Sequence, residues 1–143
     1  MKATIFLVAA FLPLVFLNAG CYTSVAVNFG NGTAKNIRVQ SSQSGEAVEV
    51  APKKFKKVPH SHGDLIVTTW PQQKFKFERV APFDVDRKYQ TIRRSLLGPN
   101  SVSINVWLGT NMQLYVLMPG TDASQNRSEQ PSGYPRASQE IRN

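Results

Sequence analysis

Apolar and polar side chains alternate along much of the chain, with the period of two that is typical of a half-buried β-strand. The longest alternating run is Ser101–Leu108, in which Val102, Ile104 and Val106 are separated by polar residues. Other runs that predict strands occupy residues 24–29, 36–40, 48–50, 65–67, 74–78 and 112–118. This alternation indicates antiparallel sheets that pack one face on a core.

Turn residues separate the predicted strands. Ser44 and Gly45 lie between two alternating runs, as do residues 71–73, and residues 109–111 separate the two clearest strands. Turn signals at roughly 8–12-residue spacing are typical of sandwiches and small barrels. We therefore predict an all-β protein, a small antiparallel β-sandwich of about 7–8 strands.

One stretch departs from this alternation. In residues 86–97 the apolar side chains have helical spacing, and Gly98 and Pro99 would end a helix there. The stretch predicts either one short helix near 86–97 or an irregular crossover between the two sheets.

The beginning of the chain has the features of a secretory signal peptide. Lys2 precedes residues 3–17, which are almost all apolar and fewer than the roughly 20 residues that cross a bilayer as a helix. A basic start, a short apolar run and small residues before a break are typical of a cleaved signal. We therefore predict that residues 1–20 are a signal peptide.

Two small residues, Ala19 and Gly20, precede Cys21, the single cysteine of the chain. This segment resembles the lipobox of bacterial lipoprotein precursors, although Asn18 stands where Leu is usual. The resemblance covers only the first 21 residues and implies lipidation of Cys21 followed by cleavage before it. Because Tyr22 is not Asp, it also implies the outer membrane, facing the periplasm or the cell surface. The alternative is ordinary secretion, with Cys21 as a free thiol.

The composition divides the rest of the chain into a body and a tail. Residues 21–119 hold the alternating runs and form the predicted lipid-anchored β-sandwich domain. Residues 120–143 are rich in Ser, Gln, Asn, Pro and Gly and have few apolar members. Such a segment buries too little apolar surface to offset the entropy of ordering, so we predict a disordered polar tail.

The chain is strongly basic, with 17 Lys and Arg residues against 9 Asp and Glu and a formal charge of +8. Because the charges of the tail balance, the excess lies on the body. The strongest candidates for an anion-binding face are Lys53, Lys54, Lys56, Lys57, Arg93 and Arg94. Such a face suits an anionic envelope polymer or lipid, whereas the exported location makes nucleic acid an unlikely ligand. The alternative is a solvated strand edge, where lysines prevent unwanted strand pairing.

Signals for catalysis and metal binding are weak. His60, His62 and Asp64 would share one face of an extended segment, and two imidazoles with a carboxylate are metal ligands. The alternative is a polar loop before the strand at Leu65. A single cysteine excludes an intrachain disulfide framework and a Cys-cluster zinc site. Because the catalytic motifs of hydrolases, nucleotide-binding enzymes and zinc proteases are absent from the sequence, we predict no catalytic residues and no cofactor.

Both tryptophans are candidates for stacking on carbohydrate. Trp107 falls on the polar face of its predicted strand, which makes it the better candidate for an exposed aromatic. Its alternative is burial beneath residues 86–97.

These features predict a non-catalytic cell-envelope lipoprotein that serves as an interaction or structural module of an envelope assembly. Its partners would be the membrane, through the lipid on Cys21, and an envelope protein. A binding module for an anionic envelope polymer or lipid is the first alternative. A small metal-dependent enzyme at His60, His62 and Asp64 is the second.

Overall fold

The computed structural model describes residues 24–59, 63–96, 99–123 and 129–142. The predicted signal peptide, Cys21, His60 and His62 lie outside the described residues. The described helical segments are two 3₁₀ turns, Pro82–Asp84 and Arg87–Tyr89. Within the described ranges, no helix combines the length and the apolar character that a membrane crossing requires.

Eleven strands account for about half of the described chain. They are β1 (Ser24–Asn31), β2 (Ile37–Ser41), β3 (Ala47–Val50), β4 (Phe55–Pro59), β5 (Leu65–Thr68), β6 (Lys74–Phe77), β7 (Gln90–Arg93), β8 (Ser101–Leu108), β9 (Gln113–Leu117), β10 (Arg136–Ala137) and β11 (Gln139–Ile141). The predicted all-β class is confirmed. The strands exceed the predicted number because β4, β7, β10 and β11 lie in segments where the sequence pattern predicted no strand.

The strands form two sheets that pack face to face. Sheet A has the order β10-β9-β8-β1-β4, and β7 pairs with the first half of β8. Sheet B has the order β11-β6-β5-β2-β3. All neighbours are antiparallel except β1 and β8, which run parallel in register from Ser24 opposite Ser101 to Asn31 opposite Leu108. The predicted antiparallel sandwich therefore contains one parallel pair, at the centre of sheet A.

Alternating residues of both sheets fill the core between them. On β8, Val102, Ile104, Val106 and Leu108 are buried, as the alternation predicts. Phe29 of β1, Val39 of β2, Leu65 of β5 and Phe77 of β6 belong to the same core cluster. Burial of each such side chain contributes about 1.5–3 kcal/mol.

The three predicted turns are confirmed. The turn at Ser44 and Gly45 joins β2 to β3, and Gly45 adopts a φ of 66° that glycine tolerates without steric cost. Residues 71–73 lie between β5 and β6, and residues 109–111 between β8 and β9.

The short helix predicted near 86–97 is replaced by one 3₁₀ turn and a strand. After Arg87–Tyr89 the chain continues as β7, antiparallel to β8. The side-chain amide of Gln90 donates to the carbonyls of Pro82 and Val85 at 2.9 and 3.0 Å. These bonds tie the start of β7 to the preceding loop, so that pairing with β8 prevails over helical spacing. Residues 97 and 98 lie outside the described residues.

The prediction of a disordered tail is wrong for residues 129–142. The Gln130 side chain accepts from the Val116 N–H at 2.9 Å and donates to the Val116 carbonyl at 3.0 Å. Tyr134 is 8% exposed and belongs to the core cluster. The segment then pairs with β9 of sheet A as β10 and with β6 of sheet B as β11. The folded domain therefore extends past residue 119 and joins the two sheets through this strap, residues 129–142.

Candidate anion-binding site

The outer face of sheet A carries small and polar side chains at its centre. Because successive residues of a strand point to opposite faces, the positions between the core residues of β1 and β8 face outward. On β1 these positions are Ala26 and Asn28, and on β8 they are Ser101, Ser103 and Asn105. Such short side chains leave space above the sheet.

The strand register turns this space into a trough of about 320 Å³ that two cations flank. Lys57 of β4 lies opposite Asn28, and Asn28 lies opposite Asn105. At the other side Arg93 of β7 lies opposite Ser101. Lys57 and Arg93 therefore stand at diagonal ends of the trough, and the hydroxyl groups and amides form its floor.

Hydrogen-bond donors on this floor are available to a ligand. The side-chain amide of Asn28 donates to Oδ1 of Asn105 at 2.9 Å, which engages the oxygen of Asn105 and leaves its amide nitrogen able to donate to a ligand. Within the described residues, the hydroxyls of Ser101, Ser103 and Thr91 make no side-chain hydrogen bond. Hydroxyl and amide donors between two cations are suited to phosphate or carboxylate oxygens.

The electrostatics of the trough agree with its donors. Its described lining residues include Lys57 and Arg93 and no carboxylate. A concave site lined by one sign of charge raises the local concentration of oppositely charged ligands. The trough therefore has the charge, the donors and the concavity of an anion site.

The other predicted basic residues do not line the trough. Lys53 and Lys54 lie in the turn between β3 and β4, where the Lys53 N–H donates to the Asn31 carbonyl at 2.7 Å. Lys56 pairs with the core residue Phe29, so it shares the inner side of β4 and is exposed only because β4 is an edge strand. Arg94 follows β7 and is exposed. The structure therefore brings together two of the six predicted cations.

The position of β4 also agrees with the alternative interpretation of its lysines. β4 is an edge strand of sheet A, and its exposed lysines prevent pairing with another chain. Both roles are compatible, because alternation places Lys56 and Lys57 on opposite sides of the strand.

Aromatic residues close one end of the trough face. Trp107 of β8 is 7% exposed, and its ring centroid lies 5.4 Å from that of Phe55 on β4. Both rings pass over Gly30, where a Cβ atom would lie 2.5 Å from each ring. Trp107 is therefore buried, as the alternative interpretation predicts, but the ring that covers it is that of Phe55. The described part of this segment, residues 86–96, lies elsewhere, since β7 pairs with Ser101–Ile104 at the other end of β8.

Asp64, a candidate metal ligand, is already engaged by other groups. Its Oδ1 accepts from the Arg79 N–H at 3.0 Å, and its Oδ2 lies 2.9 Å from Nζ of Lys76. The hydrogen bond from Arg79 and the ammonium of Lys76 lower the pKa of Asp64. No group of three metal-ligating side chains occurs among the described residues, and His60 and His62 lie outside them. A metal site there stays a prediction.

Replacement of Asp64 by asparagine should remove a pH-dependent contribution to stability. The amide oxygen of asparagine can still accept from Arg79, so the expected loss at pH 7 is modest, as for other half-exposed ion pairs. Because the folded pKa is lowered, this contribution is present above the unfolded pKa, near pH 4, and disappears as pH falls through the folded pKa. Urea melts of both proteins from pH 2 to pH 7 should converge at the acid end. A pH-independent difference would contradict the ion pair.

The polar floor of the trough was not predicted from the sequence. The alternation predicts an ordinary solvent-exposed strand face for Asn28, Ser101, Ser103 and Asn105. The one available signal was that these residues are uniformly short and uncharged, whereas exposed strand faces elsewhere in the chain carry lysine, arginine and glutamate.

Comparisons with known proteins add no relative to this description. No protein-family model, curated protein or solved structure matches the chain. A proposal for its function therefore starts from the chemistry of the trough and from the signal segment.

Proposed function

We propose that the protein is a non-catalytic cell-envelope lipoprotein that binds an anionic envelope lipid or polymer through the trough on sheet A. The observation that carries this proposal is the pair Lys57 and Arg93, which flank a floor of hydroxyl and amide donors with no carboxylate among the described lining residues. The shared chemistry of the ligand is a phosphate or carboxylate group. The outer membrane is the proposed location.

The place of the predicted anchor favours a ligand at the membrane surface. Cys21 precedes the first residue of β1, Ser24, by three residues, which span at most about 10 Å. Ser24 lies opposite Ser101, and Ser101 lies opposite Arg93. A lipid on Cys21 would therefore hold the Arg93 end of the trough close to the lipid headgroups, where phosphate groups are concentrated.

The double replacement of Lys57 and Arg93 by glutamine tests the trough. Binding would be measured as co-sedimentation of the soluble Cys21→Ala form with vesicles that contain phosphatidylglycerol, with vesicles of phosphatidylcholine alone for comparison. Each basic residue near an anionic surface contributes about 1 kcal/mol, so the double variant should bind roughly 30-fold more weakly. Raising the salt concentration should weaken binding of the unaltered form in the same direction.

Lys53 and Lys54 provide the matched control. Their replacement by glutamine removes the same charge from a turn outside the trough and should weaken binding much less. An equal loss in both double variants would show that net charge alone drives binding, and would contradict a defined site.

A second candidate function is docking to an envelope protein. Three large apolar side chains near β7 in the sequence remain exposed. Phe83 precedes this strand, Ile92 belongs to it and Leu96 follows it. Large exposed apolar side chains are candidates for contact with a protein partner. Affinity capture from envelope extracts, with lipidated protein and the Cys21→Ala form side by side, should recover one partner that is lost after Leu96→Ser. Capture that is indifferent to Leu96→Ser would remove this candidate.

A further inference from the structure

The outer face of sheet B carries a second, larger groove, of about 760 Å³, on the opposite side of the sandwich from the trough. Side chains of β2, β3, β5 and β6 line it, together with the turn between β5 and β6. Trp70 of this turn is 68% exposed at the groove. A large exposed aromatic ring beside a polar groove is a candidate surface for stacking with a ligand.

Polar side chains form a continuous row on the floor of this groove. The strand register places Glu49 opposite Arg38, Arg38 opposite Thr68, and Thr68 opposite Lys74. Neighbouring strands lie about 4.8 Å apart, so the row is roughly 14 Å long. Asn36 donates to Oε1 of Glu49 at 2.6 Å, which fixes the carboxylate at one end.

Backbone hydrogen bonds hold Trp70 in a defined place. The Gln72 N–H donates to the Thr69 carbonyl at 2.6 Å, and the Thr69 N–H donates to the Gln73 carbonyl at 2.9 Å. The turn therefore closes on both sides of Trp70. Because the backbone of this turn is already ordered, a ligand that stacks on the ring does not have to order it.

The combination of one exposed indole with a row of charged and hydroxyl side chains matches the chemistry of a sugar. A pyranose ring offers an apolar C–H face to the indole and hydroxyl groups to carboxylate, guanidinium and threonine side chains. An apolar helix or an acyl chain would bury the charges of Arg38 and Lys74 and offer them no partner. Single-stranded nucleic acid is disfavoured, because successive bases need several stacking rings and Trp70 is the one aromatic residue among the described lining residues.

The charge of the groove selects among sugars. Lys35, Arg38 and Lys74 face it with one carboxylate, Glu49. We infer that this groove binds an acidic oligosaccharide, with Trp70 stacked on one ring and with Arg38 and Lys74 paired to carboxylates of the sugar. This site is independent of the proposed function, since it lies on the other sheet and shares no residue with the trough.

Titration of the purified protein with oligogalacturonate tests the inference, with maltohexaose as the neutral sugar and a single-stranded oligonucleotide as the competing polyanion. Calorimetry should show saturable binding of oligogalacturonate alone. The tryptophan emission should change as well, and the change comes from Trp70, because Trp107 is buried. Trp70→Ala should weaken binding about tenfold, and Trp70→Phe should weaken it less, because phenylalanine keeps an aromatic face.

Two controls make the outcome decisive. Because Trp70 is exposed, both variants should melt like the unaltered protein, so a loss of binding reports on the ligand contact. Lys53→Gln, which removes a cation outside both the groove and the trough, should leave oligogalacturonate binding unchanged. Absent binding, unchanged affinity in Trp70→Ala, or tighter binding of the oligonucleotide would overturn the inference.

Discussion

Replacing Tyr134 by alanine should lower the free energy of unfolding by about 3–5 kcal/mol, the cost of removing a large aromatic side chain from a core. Tyr134 is buried in the core cluster that both sheets share. The residues that follow it pair with β9 in sheet A and with β6 in sheet B. Its loss would therefore weaken the one described segment that joins both sheets at this side. A domain of this size has only about 5–15 kcal/mol of stability, so the variant should be close to unfolding.

The matched control is Tyr134→Phe. The hydroxyl of Tyr134 is buried and has no hydrogen-bond partner among the described residues, so its removal should cost little.

Burial raises the pKa of Tyr134 to about 12. Because the folded pKa is raised, the folded state keeps its full stability below the unfolded pKa of tyrosine, near 10, and loses stability as pH rises towards 12. At pH 7 the alanine variant should melt at a much lower temperature than the phenylalanine variant. At alkaline pH the phenylalanine variant should lose less stability than the unaltered protein. Equal melts of the alanine and unaltered proteins would contradict the role of the strap.

Replacing Cys21 by alanine should move the protein from the membrane fraction to the soluble fraction of the exporting cell. Lipidation needs the thiol, and each buried methylene of an attached acyl chain contributes about 0.8 kcal/mol to membrane binding. Several chains hold a protein on the membrane almost completely, so the expected change is close to all or none. Mass spectrometry of the unaltered protein should show an acylated Cys21 as the first residue after cleavage.

Cys21→Ser is the closest steric control, since it changes only the reactive atom. It should also release the protein, whereas Asn18→Leu, which restores the usual lipobox residue, should keep it on the membrane. Unchanged membrane attachment in Cys21→Ala, or an unmodified thiol in the mature chain, would show ordinary secretion.

The strands of the core could be predicted because burial repeats every second residue within each strand. Val102, Ile104, Val106 and Leu108 show this alternation in the sequence, and all four are buried. The turns could be predicted for a similar reason, since residues such as Gly45 determine local backbone geometry.

The trough could not be predicted, because it depends on which strands become neighbours. Asn28 and Asn105 are 77 positions apart and meet only through the parallel pairing of β1 and β8. Likewise, Lys57 and Arg93 belong to strands on either side of this pair, so their spacing along the chain does not indicate that they flank one site.

The strap escaped prediction for a different reason. Its composition is that of a disordered segment, and its order rests on a few contacts by Gln130, Tyr134 and short backbone pairings. Average polarity conceals such isolated contacts. A polar segment is ordered when an adjacent sheet edge offers unpaired backbone groups, and β9 and β6 offer such edges here.

The binding of an anion in the trough is tested most directly by nuclear magnetic resonance of the ¹⁵N-labelled Cys21→Ala protein, titrated with a short-chain phosphatidylglycerol. The backbone amides of Asn28, Thr91, Ser101 and Ser103 should shift together and saturate with one affinity. In the double variant Lys57→Gln and Arg93→Gln, the same titration should leave these amide signals unshifted. Shifts confined to the turn at Lys53 and Lys54, or shifts that never saturate, would contradict a site on sheet A.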